Sequence, residues 1–390
     1  MKDFWYNNII FSLLSIFIAV LSYITIDNLF GLLSLKEIYS YDYGIYLSAL
    51  FGISIMGAVT RNINERIYPF IYLCIYVILI IPIIVFFASS LQDIVKQIIY
   101  CSTFIFMFRY GFCLGYYDYE IKKKIKILLI VVLPLLLYMY IKTYFYNKSE
   151  IFFISNDGIF SLIVLLPFTL LLGNKKLIYF LFSLICLCAL LSLKRSAILS
   201  MLFSSVIYVY IYISRKNIFY VLILLAAFCG ICFIYINAAD VDILKLVSAR
   251  FSDAGSSGRN DIYNFVYNKF IDENNFSFLY GHGFNAFSAD FGMPAHNDII
   301  ELYYDFGILG VIPYFITLIL LGKNCFKWYK YRSLFLENYA SYVIAYISLI
   351  VLLLFNCIIY SYYNCILYLA LGLNYGYIIR HLKLNIRVHN

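Results

Sequence analysis

The sequence predicts an all-α fold, a polytopic membrane bundle of about twelve transmembrane helices forming a single domain over 1–390. Three observations lead there. With 64% hydrophobic and 13% charged residues and a mean hydropathy of +0.87, the chain has too little polar surface to cover a soluble globule of its length. Its apolar runs recur near the roughly 20 residues that a helix needs to cross a hydrocarbon core about 30 Å thick. Runs of that length exclude a β-barrel, whose strands are short and alternate.

Taken in order, the runs fall at 8–27, 43–60, 67–89, 97–117, 125–146, 151–172, 177–193, 196–213, 217–236, 299–322, 338–358 and 360–379. The first follows Met1-Lys2-Asp3 closely, is too long for a secretory signal and lacks a small-residue cleavage site, so it is expected to be the first span. An N-terminus in the cytoplasm puts most basic residues on that side, among them Arg61, Arg66, Lys122, Lys123, Lys124, Lys126, Lys323, Lys327, Lys330, Arg332 and Arg380. Both termini are then cytoplasmic. Lys194-Arg195 breaks the pattern, splitting a hydrophobic stretch on the side from which positive charge is usually excluded.

One polar interruption, 237–296, separates the ninth and tenth spans and is placed by this topology outside the cytoplasm. Ser257 is positioned to cap a helix whose apolar positions Ile262, Phe265, Val266 and Phe270 follow helical spacing, read as an amphipathic helix at the membrane surface. Gly281-His282-Gly283 reads as a turn. Asn297 and Asp298 begin the next helix, with His296 at its mouth.

Other assignments are weaker. Nine of the ten cysteines lie inside apolar runs and none in the long loop, which excludes a disulfide framework there; Cys229-Gly-Ile-Cys232 sits in an apolar helix where a thiolate is disfavoured. The net charge of +8 is spread over short loops, so it reports topology and not nucleic acid. Asp240-Val241-Asp242 is a weak acidic pair, and His296 and Glu301 lack the spacing of a helical zinc site, so the expected mechanism uses neither metal nor cofactor.

Chemistry outside the cytoplasm, away from ATP and nucleotide sugars, must draw on a pre-activated substrate such as a lipid pyrophosphate. Arginine suits phosphate because its planar fork is always charged and bonds two oxygens. Arg195, Arg250 and Arg259 are the candidates, and the loop holds more acidic than basic residues, so they are not part of a generic basic patch. Their competing reading is contact with lipid headgroups, which fits Lys194 still better. Histidine accepts a proton near neutrality, making His296 a candidate base for a hydroxyl and His282 a second site candidate, against purely structural roles for both. Asp157, Glu301 and Asn297 complete the polar residues expected to line the site.

The set Gly281-His-Gly-Phe284, Ala295-His-Asn-Asp298, Glu301 and Gly307-Ile-Leu-Gly310, behind a late long loop and an arginine turn Leu193-Lys-Arg-Ser-Ala197, resembles the O-antigen ligase/polymerase superfamily, most strongly over about Ser192–Gly310. That resemblance implies a GT-C-like glycosyltransferase of the bacterial inner membrane acting on undecaprenyl-pyrophosphate-linked sugars at the periplasmic face. It implies His296 as general base on the acceptor hydroxyl, with Arg195, Arg250 and Arg259 on the pyrophosphate. It further implies a lipid-linked oligosaccharide as both donor and acceptor, and a polysaccharide chain-length regulator as a possible partner.

Within that superfamily a polymerase extends a lipid-linked repeat, whereas a ligase moves finished polymer to the lipid A core. Abundant Ile, Tyr, Phe and Asn suggest an AT-rich gene of the kind found in surface-polysaccharide clusters, which favours the Wzy-type polymerase over the ligase. A lipid-linked oligosaccharide flippase is the alternative of another class; it would bury charges along a central path and show two-fold repeats.

Overall fold

The computed structural model describes residues 39–59, 67–118, 120–147, 158–192, 194–212, 259–272, 277–356 and 358–389, with Phe11, Leu14 and Ile18. All regular structure among them is helical: α1 (Tyr39–Val59), α2 (Tyr68–Phe87), α3 (Leu91–Tyr117), α4 (Ile121–Asn147), α5 (Ile159–Thr169), α6 (Lys175–Leu191), α7 (Arg195–Tyr212), α8 (Arg259–Asp272), α9 (Ser277–Tyr280), α10 (Ala286–Phe291), α11 (Asp298–Tyr329), α12 (Leu336–Phe355) and α13 (Tyr362–His389), with short 3-10 turns at Leu170–Leu172 and Arg332–Leu334. Every expected apolar run from 43–60 to 196–213, and from 299–322 to 360–379, overlaps a described helix, that of 151–172 only from 159 on, since 151–157 lie outside the described residues. The runs at 8–27, apart from the three residues named, and 217–236 lie outside the described residues. Among the described residues four helices, α2, α3, α11 and α12, are long and apolar enough to cross a membrane.

Local chemistry sets the boundaries. Ser90 caps α3 by accepting from the Asp93 amide at 3.1 Å. Asn174 caps α6, its Oδ1 accepting from the amides of Lys176 and Leu177. Helices α11 and α13 run past their expected ends at 322 and 379, because apolar length limits what crosses a bilayer and not where hydrogen bonding stops.

The tightest pairing joins α3 to α13. A Cβ at Gly111 or Gly115 would run into the carbonyl of Leu369 or Leu373, and one at Gly372 or Gly376 into that of Phe108 or Phe112. Two glycines four residues apart on each helix therefore let the backbones meet directly, the small-residue interface that drives helix association where no hydrophobic effect operates. Aromatic rings fill the space beside it: Phe104 lies 4.9 Å from Tyr368, and Trp328 lies 5.0 Å from both Tyr342 and Tyr375.

Buried polar groups tie the bundle at fixed heights. Asn338 donates to Asn374, Asn374 to Ser341 and Ser341 to the Pro167 carbonyl, linking α12, α13 and α5. Lys122 bonds Glu337 at 2.6 Å, so the α3–α4 and α11–α12 turns, both rich in the basic residues expected on one side, lie at the same end. Beside them Lys124 pairs with Asp118. At this end, too, Tyr210 meets Tyr329 at 2.7 Å, so α7 runs parallel to α11. Their N-termini, Arg195 and Asp298, therefore share the opposite end.

Candidate functional site

At that opposite end a small second core forms from Ile262, Phe287, Ala295 and Tyr304, with Phe265, Val266, Phe291 and Ile300 packed on it. Helix α8 presents the face its sequence period predicts, but that face packs on protein: Phe265 sits 5.8 Å from Tyr304 and 5.1 Å from Phe291. This corrects the reading of α8 as a helix lying on the membrane, since an apolar stripe alone does not identify what covers it. Phe270's side chain and Ser257 lie outside the described residues.

Helix α11 breaks at Gly307, whose backbone (φ 60°, ψ −159°) no helix adopts. Beside the break the carbonyls of Tyr304 and Asp305 accept from the amides of His282 and Gly283, at 3.0 and 2.8 Å. The expected turn at Gly281-His282-Gly283 is thus docked on the kink, and the His282 ring rests on Tyr304, centroids 4.4 Å apart.

Three acids of α11, Asp298, Glu301 and Asp305, are 1%, 3% and 0% exposed. Their spacing puts them on one helix face. Asp298 accepts from the Ile358 amide at 2.9 Å. Asp305 accepts from the amides of Asn285 and Phe287 at 2.9 and 3.0 Å and from the Tyr360 hydroxyl at 2.8 Å. Glu301 lies 3.5 Å from Ser288.

His296 is exposed and adopts φ +52°, left-handed for a residue that is not glycine. Its neighbours fix it there: Ala295 is buried in the second core, and Asn297 caps α11, accepting from the amides of Ile299 and Ile300 at 3.0 and 3.3 Å. The oxygen of Asn297, expected to contact substrate, is therefore engaged with the backbone. Glu301 is likewise inside the core and not on an open wall.

Among the remaining expected site residues, Arg195 opens α7 and Arg259 opens α8; their side chains lie outside the described residues. Lys194, half-buried, precedes α7. Arg250 and Asp157 lie outside the described residues. The backbones of Lys194, Arg195 and Arg259 thus gather with His282, His296, Asn297 and Glu301 at one end of the bundle. Sequence reading missed Asp305, Tyr360 and Tyr304, although acids at 298, 301 and 305 inside an apolar run share a face and were a usable signal. Among the described residues no cluster of His, Cys, Asp and Glu is arranged to hold a metal ion.

Residues 178–315 match the Wzy_C family model, described as O-antigen ligase, bearing out the resemblance read from the sequence. The match runs from α6 into α11 and contains His282, His296, Arg195, Arg250 and Arg259 but not Asp157. That segment is similar to the O-antigen ligase family, and the four described helices long and apolar enough to cross a membrane suggest a multi-pass membrane protein. No curated protein matches the sequence.

Proposed function

We propose that this protein is an inner-membrane glycosyltransferase that polymerises undecaprenyl-pyrophosphate-linked repeat units at the periplasmic face. The observation that carries this reading is His296: exposed, held in a left-handed conformation, and at the mouth of α11 within the matched segment. Non-glycine residues persist in that conformation, which costs about 1–3 kcal/mol, chiefly where function requires it.

In the reaction, His296 accepts the proton of an acceptor sugar hydroxyl as its oxygen attacks the anomeric carbon of the donor. The bond from that carbon to the pyrophosphate oxygen breaks, and the leaving pyrophosphate takes the electron pair. Arg195, Arg259 and Arg250 hold its charge, the kind of electrostatic term that often dominates catalysis. Helix ends support this assignment. The first turn of α11 carries Asp298 and Glu301, which repel phosphate, whereas α7 begins with Lys194-Arg195 and has no acid in its first turn. Cations at a helix N-terminus oppose the macrodipole, an arrangement that a bound anion relieves.

A ligase reading is favoured by one observation, the description of the matching model as O-antigen ligase. The surface-glycan ladder of cells lacking this gene separates the two. Core carrying one repeat unit identifies a polymerase; bare core with long polymer left on carrier lipid identifies a ligase. Transport of labelled lipid-linked sugar across proteoliposomes without lengthening would overturn both in favour of a flippase. A chain-length regulator would be the expected protein partner of the polymerase.

A further inference from the structure

We infer that Asp305 is a positioning residue for the glycan site, acting through His282 and the segment 281–287; the inference rests on the polymerase reading above. The Asp305 carboxyl joins three parts of the chain. One oxygen accepts from the Phe287 amide at 3.0 Å, and the other from the Asn285 amide at 2.9 Å and the Tyr360 hydroxyl at 2.8 Å. The main chain of the same residue accepts from the Gly283 amide, and the preceding carbonyl from the His282 amide. Helix α11 thus grips the loop on both sides of Phe284, while Tyr360 anchors the grip to the α12–α13 connection. Phe284 itself packs against Tyr360, ring centroids 4.7 Å apart and tilted 53° to each other.

His282 gains its place from this grip. Its ring lies on Tyr304, its amide is held by the Tyr304 carbonyl, and the chain that follows is pinned by Asp305. The two carboxyl oxygens of Asp305 meet three converging donors. Asparagine has the same shape, yet its amide offers one acceptor oxygen; whichever way it turns, its NH2 confronts the Phe287 amide or the Asn285 amide. Asp305→Asn therefore loosens the loop without opening a cavity.

The test uses the full chain in proteoliposomes, with lipid-linked glycan extracted from cells lacking this gene as substrate, and measures lengthening against substrate concentration. Asp305→Asn is expected to raise KM about tenfold with a smaller change in kcat, the signature of lost substrate positioning. In a His282→Ala background it is expected to cost nothing further, because the two act as one unit. A fall in kcat at unchanged KM, which is what a smaller folded fraction gives, would overturn the inference. So would losses that multiply across the pair. Should Asp305→Asn fail to accumulate, Tyr360→Phe, which removes a single hydroxyl, carries the same cycle with the same two outcomes. A wild-type protein that lengthens no glycan sinks the polymerase reading and this inference with it, whereas an active wild type with an unaffected Asp305→Asn variant sinks the inference alone.

Discussion

Gly281 and Gly307 close one contact from opposite sides: a Cβ at Gly281 would stand 2.5 Å from the Asp305 carbonyl, and one at Gly307 would stand 2.5 Å from that of Leu279. The kink in α11 and the turn that docks on it thus require each other. Gly307 also adopts a backbone conformation open essentially to glycine alone. Gly307→Ala is expected to cost about 2–4 kcal/mol, adding backbone strain to the clash. Thermal unfolding in detergent checks this, with Gly52→Ala as control, since no atom lies within 4 Å of a Cβ at Gly52. Similar midpoints for the two variants would show that the kink tolerates a side chain.

The α3–α13 seam should be as intolerant. Gly372→Val would drive a branched side chain into the Phe108 carbonyl, which belongs to helix backbone and cannot swing aside. Insertion should proceed while packing fails, giving a protein that reaches the membrane but is degraded or aggregates on extraction. Size-exclusion profiles after mild solubilisation decide the matter; a monodisperse peak at wild-type yield would mean that the two helices can separate without penalty.

Much of this was legible beforehand, for identifiable reasons. Apolar length located the helices because only a continuous run can satisfy its backbone in lipid. The cap at Asn297 was readable from its residue type just before an apolar run. The partner of Asp298 was not, because an acid in a first turn reads equally well as a partner of the helix dipole, and the Ile358 amide lies 60 residues away. Gly111, Gly115, Gly372 and Gly376 carried a visible four-residue spacing, yet spacing does not say which helix answers which. The outward-facing side of α8 was readable; the protein core beneath it, built from Phe287 and Tyr304, was not.

Arg195 separates recognition of phosphate from mere positive charge. Arg195→Lys keeps the charge at the start of α7 but loses the planar two-point fork. If the residue holds a pyrophosphate, polymer synthesis should fall at least about tenfold while protein level is unchanged. The readout is the glycan ladder in cells complemented with the variant. A ladder of wild-type length and intensity would assign Arg195 to lipid headgroups.

His296 allows stability and activity to be pulled apart. Its left-handed backbone costs an L-residue about 1–2 kcal/mol that glycine is spared. Glycine also loses more chain entropy on folding, about 0.5–1 kcal/mol, so the net gain is small but favourable. His296→Gly is accordingly expected to unfold at or slightly above the wild-type temperature, whereas His296→Ala keeps the strain and should unfold below the glycine variant. Neither can accept a proton from the acceptor hydroxyl, so both should leave core bearing a single repeat unit. That combination, a site made more stable and inactive by one change, is what a conformation retained for chemistry predicts. Normal polymer from His296→Gly would remove the histidine from the mechanism. A glycine variant clearly less stable than the wild type would show instead that contacts of the ring, and not function, hold the conformation.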